Sequence, residues 1–196
     1  MTTIFNIPCG SHSVRTSVTS EPAAAQRWVR DIRQYRYYRQ GRLLVGLSVQ
    51  CVSRHAATLQ LCVGSNCLIF QLHRTDHCPD ALRSFLVDPN VILVALWDNA
   101  AAALLKASPH AVEVGPLVDV RMVAHQLRGC DRGATMGQLA EEILGIPGMS
   151  KDEAVGCSDW EVEELTVEQL QYACHDVFLP FLMAIEFHLW EWIYHY

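Results

Sequence analysis

An α/β domain built on a mixed sheet is the fold class that this chain predicts, and three observations carry it. Short strands joined by tight turns come first, helices and apolar strands then alternate, and the chain ends in helices. That order belongs to a central sheet, here of five to six strands, with helices on both faces. Val91 to Trp97 is a near-continuous apolar strand of the kind buried on both faces, and Leu43 to Cys51 reads as a buried strand that carries the uncharged polar residues Ser48 and Gln50. Apolar residues make up 51% of the chain and charged residues 18%, a composition that builds a core and argues against disorder along most of the length.

The elements follow in order. Thr2 to Pro8 and His12 to Thr19 alternate apolar and polar residues around Cys9-Gly10-Ser11, which predicts an N-terminal hairpin within residues 1–19. Ser20 offers an N-cap, with Glu21 and Pro22 suited to the first turn of a helix that runs to about Tyr38 and ends at Gln40-Gly41. Strands are predicted over Leu43 to Val52, Ala57 to Gly64 and Cys67 to His73, joined by short turns that favour antiparallel pairing. Pro79 to Leu86 reads as a short helix, Val91 to Trp97 as a buried strand, and Asn99 to Ala107 as helix by its alanine content. Val112 to Val118 returns as a strand. Arg121 to Leu127 and Met136 to Leu144 are helical, with the Gly129 to Gly133 loop between them. Gly145 to Val162 contains Pro147, Gly148 and Gly156 and is the longest loop. Thr166-Val167-Glu168-Gln169 has the pattern of a capping box and opens the last helix.

A length of 196 residues fits a single domain over 1–196, with an aromatic C-terminal extension over 187–196. The longest apolar stretch near the C-terminus, Val177 to Ile185, contains Pro180 and is too short to span a membrane. The N-terminus lacks a basic start followed by an apolar run, so an intracellular location, cytoplasm or nucleus, is expected and no membrane. Most of the eight cysteines, among them Cys51, Cys62, Cys67 and Cys174, fall in apolar strands or helices, which predicts reduced, packed thiols. No Cys-x-x-Cys pair occurs. His73, His77 and Cys78 lack a fourth ligand at zinc spacing and read as a surface pair of histidines.

The net charge of −6 argues against a generic nucleic-acid binder, but it is unevenly distributed. Arg27, Arg30, Arg33, Arg36, Arg39 and Arg42 face only Asp31 in their window, a local +5 that leaves −11 for the rest of the chain. Interleaved with Tyr35, Tyr37 and Tyr38, these arginines, with Arg30, Arg33 and Arg36 at the centre, are the candidate nucleic-acid-binding residues, since Arg pairs with phosphate and Tyr stacks on bases. A step of three drifts around a helix, so the six cannot share one face. A solvated helix whose aromatic side packs on the sheet or on another subunit is the alternative.

Leu43-Leu44-Val45-Gly46-Leu47-Ser48-Val49-Gln50-Cys51, Ala57-Thr58-Leu59-Gln60-Leu61-Cys62-Val63, Cys67-Leu68-Ile69-Phe70-Gln71-Leu72, Ser158-Asp159-Trp160, Leu165-Thr166-Val167-Glu168-Gln169-Leu170 and Tyr172-Ala173-Cys174-His175-Asp176 form an ordered set. It resembles the DnaQ-like 3'-5' exonucleases, in the branch of the Werner syndrome exonuclease domain and its small plant relatives, over about Ser13 to Leu189. The resemblance implies a ribonuclease H-like fold and two divalent cations, Mg or Mn, bridging the scissile phosphate. It also implies four acids: an Asp-x-Glu pair at the end of the first core strand, an Asp after a later strand, and the Asp of Tyr-x-x-x-Asp on a late helix. Carried over by position, these are Ser48 and Gln50, Asn99, and Asp176, with Tyr172 orienting the attacking water. A one-residue slide puts Asp98 in the third slot as an alternative metal ligand. Asp119, in Leu117-Val118-Asp119-Val120-Arg121, matches a structural element of the relatives and reads as a helix cap.

Three neutral residues in four acid positions imply a degenerate site with no metal bound, and activity reduced at least about a thousandfold. Asp176 and Tyr172 are then vestigial. The expected role is binding of single-stranded RNA or DNA ends, or assembly as a homo-oligomer or with related exonucleases. The alternatives are an active nuclease using Asp98, Asp176 and Tyr172, and a protein-interaction module without nucleic-acid binding.

Overall fold

A computed structural model describes residues 1–34, 41–96 and 100–191. Its strands are β1 (Thr3–Cys9), β2 (His12–Thr19), β3 (Leu43–Val52), β4 (His55–Val63), β5 (Asn66–Gln71), β6 (Val91–Ala95) and β7 (Leu117–Asp119). The helices are α1 (Pro22–Gln34), α2 (Asp80–Leu86), α3 (Ala101–Ala107), α4 (Val120–Arg128), α5 (Met136–Leu144), α6 (Glu153–Gly156) and α7 (Val167–Glu186).

All seven strands join one mixed sheet in the order β1-β2-β5-β4-β3-β6-β7. The sheet is larger than the five to six strands expected, because the N-terminal hairpin does not stand apart. Its second strand pairs parallel with β5, placing Arg15 opposite Asn66 and Thr19 opposite Phe70. The β3, β4 and β5 meander is antiparallel as its short turns require, and β6 adds to β3 in parallel.

Side chains alternate across this sheet and build two cores. Leu43, Val45, Leu47, Leu59, Leu61, Leu68 and Phe70 pack with α1, α2 and α3 on one face. Leu44, Ile69, Ile92 and Val94 pack on the other with α4, α5 and α7. Helix α7 carries Pro180 yet runs unbroken for 20 residues, its start set by the expected capping box of Thr166 and Gln169. The 187–191 part of the C-terminal extension folds onto the α7 core, where Phe187 and Trp190 are buried.

Several local expectations shift. The first helix begins at Pro22, and the Glu21 carbonyl accepts from Ala25, so Glu21 and not Ser20 holds the cap position. Its expected continuation to Tyr38, with Arg36, lies outside the described residues. The strand expected over Val112 to Val118 shrinks to Leu117–Asp119. Val112 instead donates to Leu105 and Gly115 to Leu86, and Pro116 has no N–H to offer a ladder. The long 145–162 loop contains the one-turn helix α6.

Cysteines Cys62 and Cys67 are not reduced but form a disulfide. The antiparallel register sets them opposite one another, Cα atoms 4.1 Å apart, across the Gly64-Ser65 turn. Other thiols fit the packed, reduced reading: burial pushes Cys9 up to about 11, Cys78 to about 11 and Cys174 to about 12.

One glycine sets the spacing between α7 and the sheet. A methyl group at Gly46 on β3 would overlap the backbone carbonyl of Val177. Gly46→Ala is expected to cost about 3 kcal/mol or more, because the obstacle is backbone and cannot rotate away. Thermal unfolding would then show a midpoint lower by on the order of 10 °C. Alkylation at pH 8 should label exposed Cys51 and Cys157 while Cys9, Cys78 and Cys174 stay protected until the chain unfolds, as peptide mapping would read.

Candidate functional site

Asp176 sits in the middle of α7, one residue before the Val177 carbonyl that meets Gly46, with 6% of its side chain exposed. Ser48 and Gln50 follow Gly46 at intervals of two on β3, so all three share the face beneath α7. The shared face brings the polar residues to the carboxylate. Gln50 Nε2 donates to Asp176 Oδ2 at 2.8 Å and Ser48 Oγ donates to the same oxygen at 3.3 Å. The β3–β4 register shifts immediately after Gln50, a bulge that turns the strand at the rim of this cluster. Pro180 cannot donate to the carbonyl of Asp176 four residues back, which interrupts the α7 ladder at the residue carrying the acid.

The remaining carboxylate oxygen is taken by a residue that the sequence pattern did not mark. Lys151 Nζ pairs with Asp176 Oδ1 and lies 5.0 Å from the ring centre of Tyr172. Tyr172 and Asp176, four apart on one helix face, are thus bridged by a single ammonium. Burial pushes the Tyr172 phenol above its usual value against the opposing pull of Lys151, so it stays protonated at neutral pH. Lys151 is one of two lysines beside thirteen arginines, a compositional oddity that could have drawn notice, but nothing local aims it at Asp176.

The 145–162 loop holds Lys151 in place. Fully buried Trp160 packs 5.9 Å from the Tyr172 ring and donates its indole N–H to the Gly156 carbonyl. Gln169, the second half of the α7 capping box, also donates to Ser158 Oγ and the Asp159 carbonyl. A methyl at Gly156 would stand 2.6 Å from the Tyr172 hydroxyl, and one at Gly137 on α5 would stand 3.2 Å from the Met149 carbonyl. Small residues therefore let the loop lie close on both helices.

These residues do not fit a pair of divalent cations. Hard cations need several oxygen ligands, carboxylates above all. Asp176 is the carboxylate of this cluster, Ser48 and Gln50 act as donors toward it, and an ammonium pairs with its second oxygen. Among the described residues no three of His, Cys, Asp or Glu group to hold a metal. Asn99 and its alternative Asp98 lie outside the described residues.

Other candidates are placed elsewhere. Arg30 and Arg33 stand on α1, on the opposite face of the sheet from Asp176. Arg33 pairs with Asp88 at 2.9 Å and stacks over Phe85, while exposed Arg30 neighbours Asp31 at 3.7 Å. The arginines of α1 and the Asp176 cluster therefore do not form one surface. Asp119 caps α4 as expected, accepting from the Arg121 N–H. His175 turns away from Asp176 and donates to the Pro8 carbonyl at 2.9 Å, tying β1 to α7.

Breaking the Lys151–Asp176 pair leaves a mostly buried carboxylate short of its counter-charge. A double-mutant cycle with Lys151→Met and Asp176→Asn, followed by urea unfolding, should give a coupling of about 1–3 kcal/mol.

A family model described as 3'-5' exonuclease matches residues 46–190, about three quarters of the chain. The Drosophila melanogaster "Exonuclease 3'-5' domain-containing protein 2" is 30% identical over 123 residues, covering 61% of this chain and 19% of that protein. A "3'-5' exonuclease" of Arabidopsis thaliana is 25% identical over 123 residues, covering 62% and 42% respectively, so the chain matches less than half the length of both relatives. Among solved structures, Escherichia coli RNase D superposes with a TM-score of 0.70 at 17% identity, over 90% of this chain and 46% of that one. The EXD2 exonuclease domain soaked in Mn superposes at 0.52 with 22% identity, over 89% and 90%. Those structural likenesses carry the fold, and the sequence match carries the family. With its mixed sheet in the ribonuclease H-like arrangement and a family match that begins at Gly46 and runs past Asp176, this chain belongs to the 3'-5' exonuclease domain family.

Proposed function

We propose that this chain is a non-hydrolytic member of its family, which binds single-stranded nucleic-acid ends in place of cleaving them. One observation carries the reading: both oxygens of Asp176 are engaged by Lys151, Gln50 and Ser48, where metal-dependent hydrolysis needs carboxylates free to hold two cations. The chemistry that the described cluster offers is that of polar, uncharged groups around one ammonium, suited to recognition. Among the described residues, Asp176 is the carboxylate of the cluster and it is paired, which leaves no set of oxygens to hold the two cations that hydrolysis uses.

Assembly with itself or with active relatives belongs to the same proposal. It is favoured by β1, which ends the sheet and keeps Ile4 exposed. Light scattering of the purified chain reads the assembly state.

Incubation of a 5'-labelled single strand with Mg²⁺ or Mn²⁺ tests the central point. The expected outcome is no shortening above the level of Asp176→Ala, at least about a thousandfold below an active relative assayed alongside. Metal-dependent shortening abolished by Asp176→Ala would establish the active-nuclease alternative through Asp98, Asp176 and Tyr172.

A further inference from the structure

We infer that Lys151 occupies the role of a divalent cation in this cleft, so that the chain holds a terminal phosphodiester without metal. The inference rests on the non-hydrolytic reading and adds the group that does the binding. An ammonium meets the two electrostatic demands that a metal ion would meet here. It balances the Asp176 carboxylate, and it attracts a phosphate oxygen.

Exposure decides which of the two charges a ligand encounters. The Lys151 side chain is 35% exposed and that of Asp176 only 6%, so a phosphate arriving from solvent meets the ammonium first. Lys151 has three N–H donors, and Asp176 Oδ1 engages one of them. Ser48 and Gln50 are uncharged where carboxylates would repel an anion, and the Gln50 amide has a second N–H beyond the one it gives to Asp176. The loop that carries Lys151 is anchored by Trp160, Gln169 and the Gly137 contact, which lowers the ordering cost of binding.

Acids of the same loop, Asp152, Glu153, Asp159 and Glu163 among them, oppose this attraction, and salt screens the exposed ones. Asp152 and Asp159 each accept a backbone N–H, from Ala154 and Glu161, and Glu163 pairs with Arg74 at 2.8 Å. Glu163 has 77% of its side chain exposed, so its residual field is screened by salt within about 10 Å.

Fluorescence anisotropy of a 5'-labelled single-stranded oligonucleotide with the full chain, in excess EDTA, tests the inference. Affinity in EDTA should equal that in Mg²⁺. Lys151→Met should weaken binding at least about tenfold and reduce the salt slope by about 0.7, with Lys151→Arg restoring most of the affinity. Asp176→Asn should bind at least as tightly as the unmodified chain, because it leaves the ammonium uncompensated. A purely structural ion pair predicts equal losses from Lys151→Met and Asp176→Asn, and that result, or no binding in EDTA, overturns the inference. If Lys151→Met fails to fold, the comparison of Asp176→Asn with the unmodified chain decides, a loss of affinity counting against it. Metal-dependent shortening of the oligonucleotide would defeat the non-hydrolytic reading itself. Absence of shortening, with Lys151→Met binding normally, would defeat only the role given to Lys151.

Discussion

The seating of α7 on β3 at Gly46 is the contact on which the rest of the structure depends. Without a side chain there, the Val177 carbonyl reaches the strand, and the adjacent Asp176 comes within hydrogen-bond range of Ser48 and Gln50. The same approach buries Val177, Phe178 and Leu179 against the sheet. Packing and site geometry therefore have a single cause. Interiors are close-packed enough that a methyl in the wrong place cannot be absorbed without moving backbone.

What stands on that platform is a charge-balanced cluster. One carboxylate, one ammonium, an amide and a hydroxyl satisfy one another, in a place where four acids would need metal ions to coexist. Like charges gathered in a partly buried cleft are costly unless something neutralises them. Here the neutralising charge is covalently part of the chain, delivered by the loop between α5 and α7. The polar character continues into the sheet, where Gln60 lies opposite Ser48 and Thr58 opposite Gln50, all of them buried. Gln60 donates to Thr58 along β4, while Ser48 and Gln50 donate across to Asp176 on α7.

The two electrostatic features of the molecule lie on opposite sides of the sheet. Arginines of α1 cover the face served by α2, while Lys151 and Asp176 belong to the face served by α4, α5 and α7. A strand held at the Lys151 cleft would not run along α1 without crossing the sheet edge. Arg33 is moreover committed to Asp88 and Phe85, which turns part of the basic strip into a fastening between α1 and α2.

Much of this was legible in the chain. The order of elements, the antiparallel β3–β5 meander, the capping box at Thr166, the Asp119 cap and the shared face of Tyr172 and Asp176 are local or periodic features, set within a few residues by backbone preference and burial pattern. The spacing of Ser48 and Gln50 along β3 is likewise plain in the sequence. The addition of β2 to β5, the shortening of β7, the Cys62–Cys67 disulfide and the side of the sheet taken by the arginines of α1 needed the closed fold. So did Lys151, whose meaning comes from a carboxylate 25 residues away on another element. Sequence alone determined that Ser48, Gln50, Tyr172 and Asp176 share a site, because those positions are carried by a strand and a helix with regular spacing. Tertiary structure decided that Lys151 pairs with Asp176, because a loop's side chain finds its partner only when the elements on either side are packed.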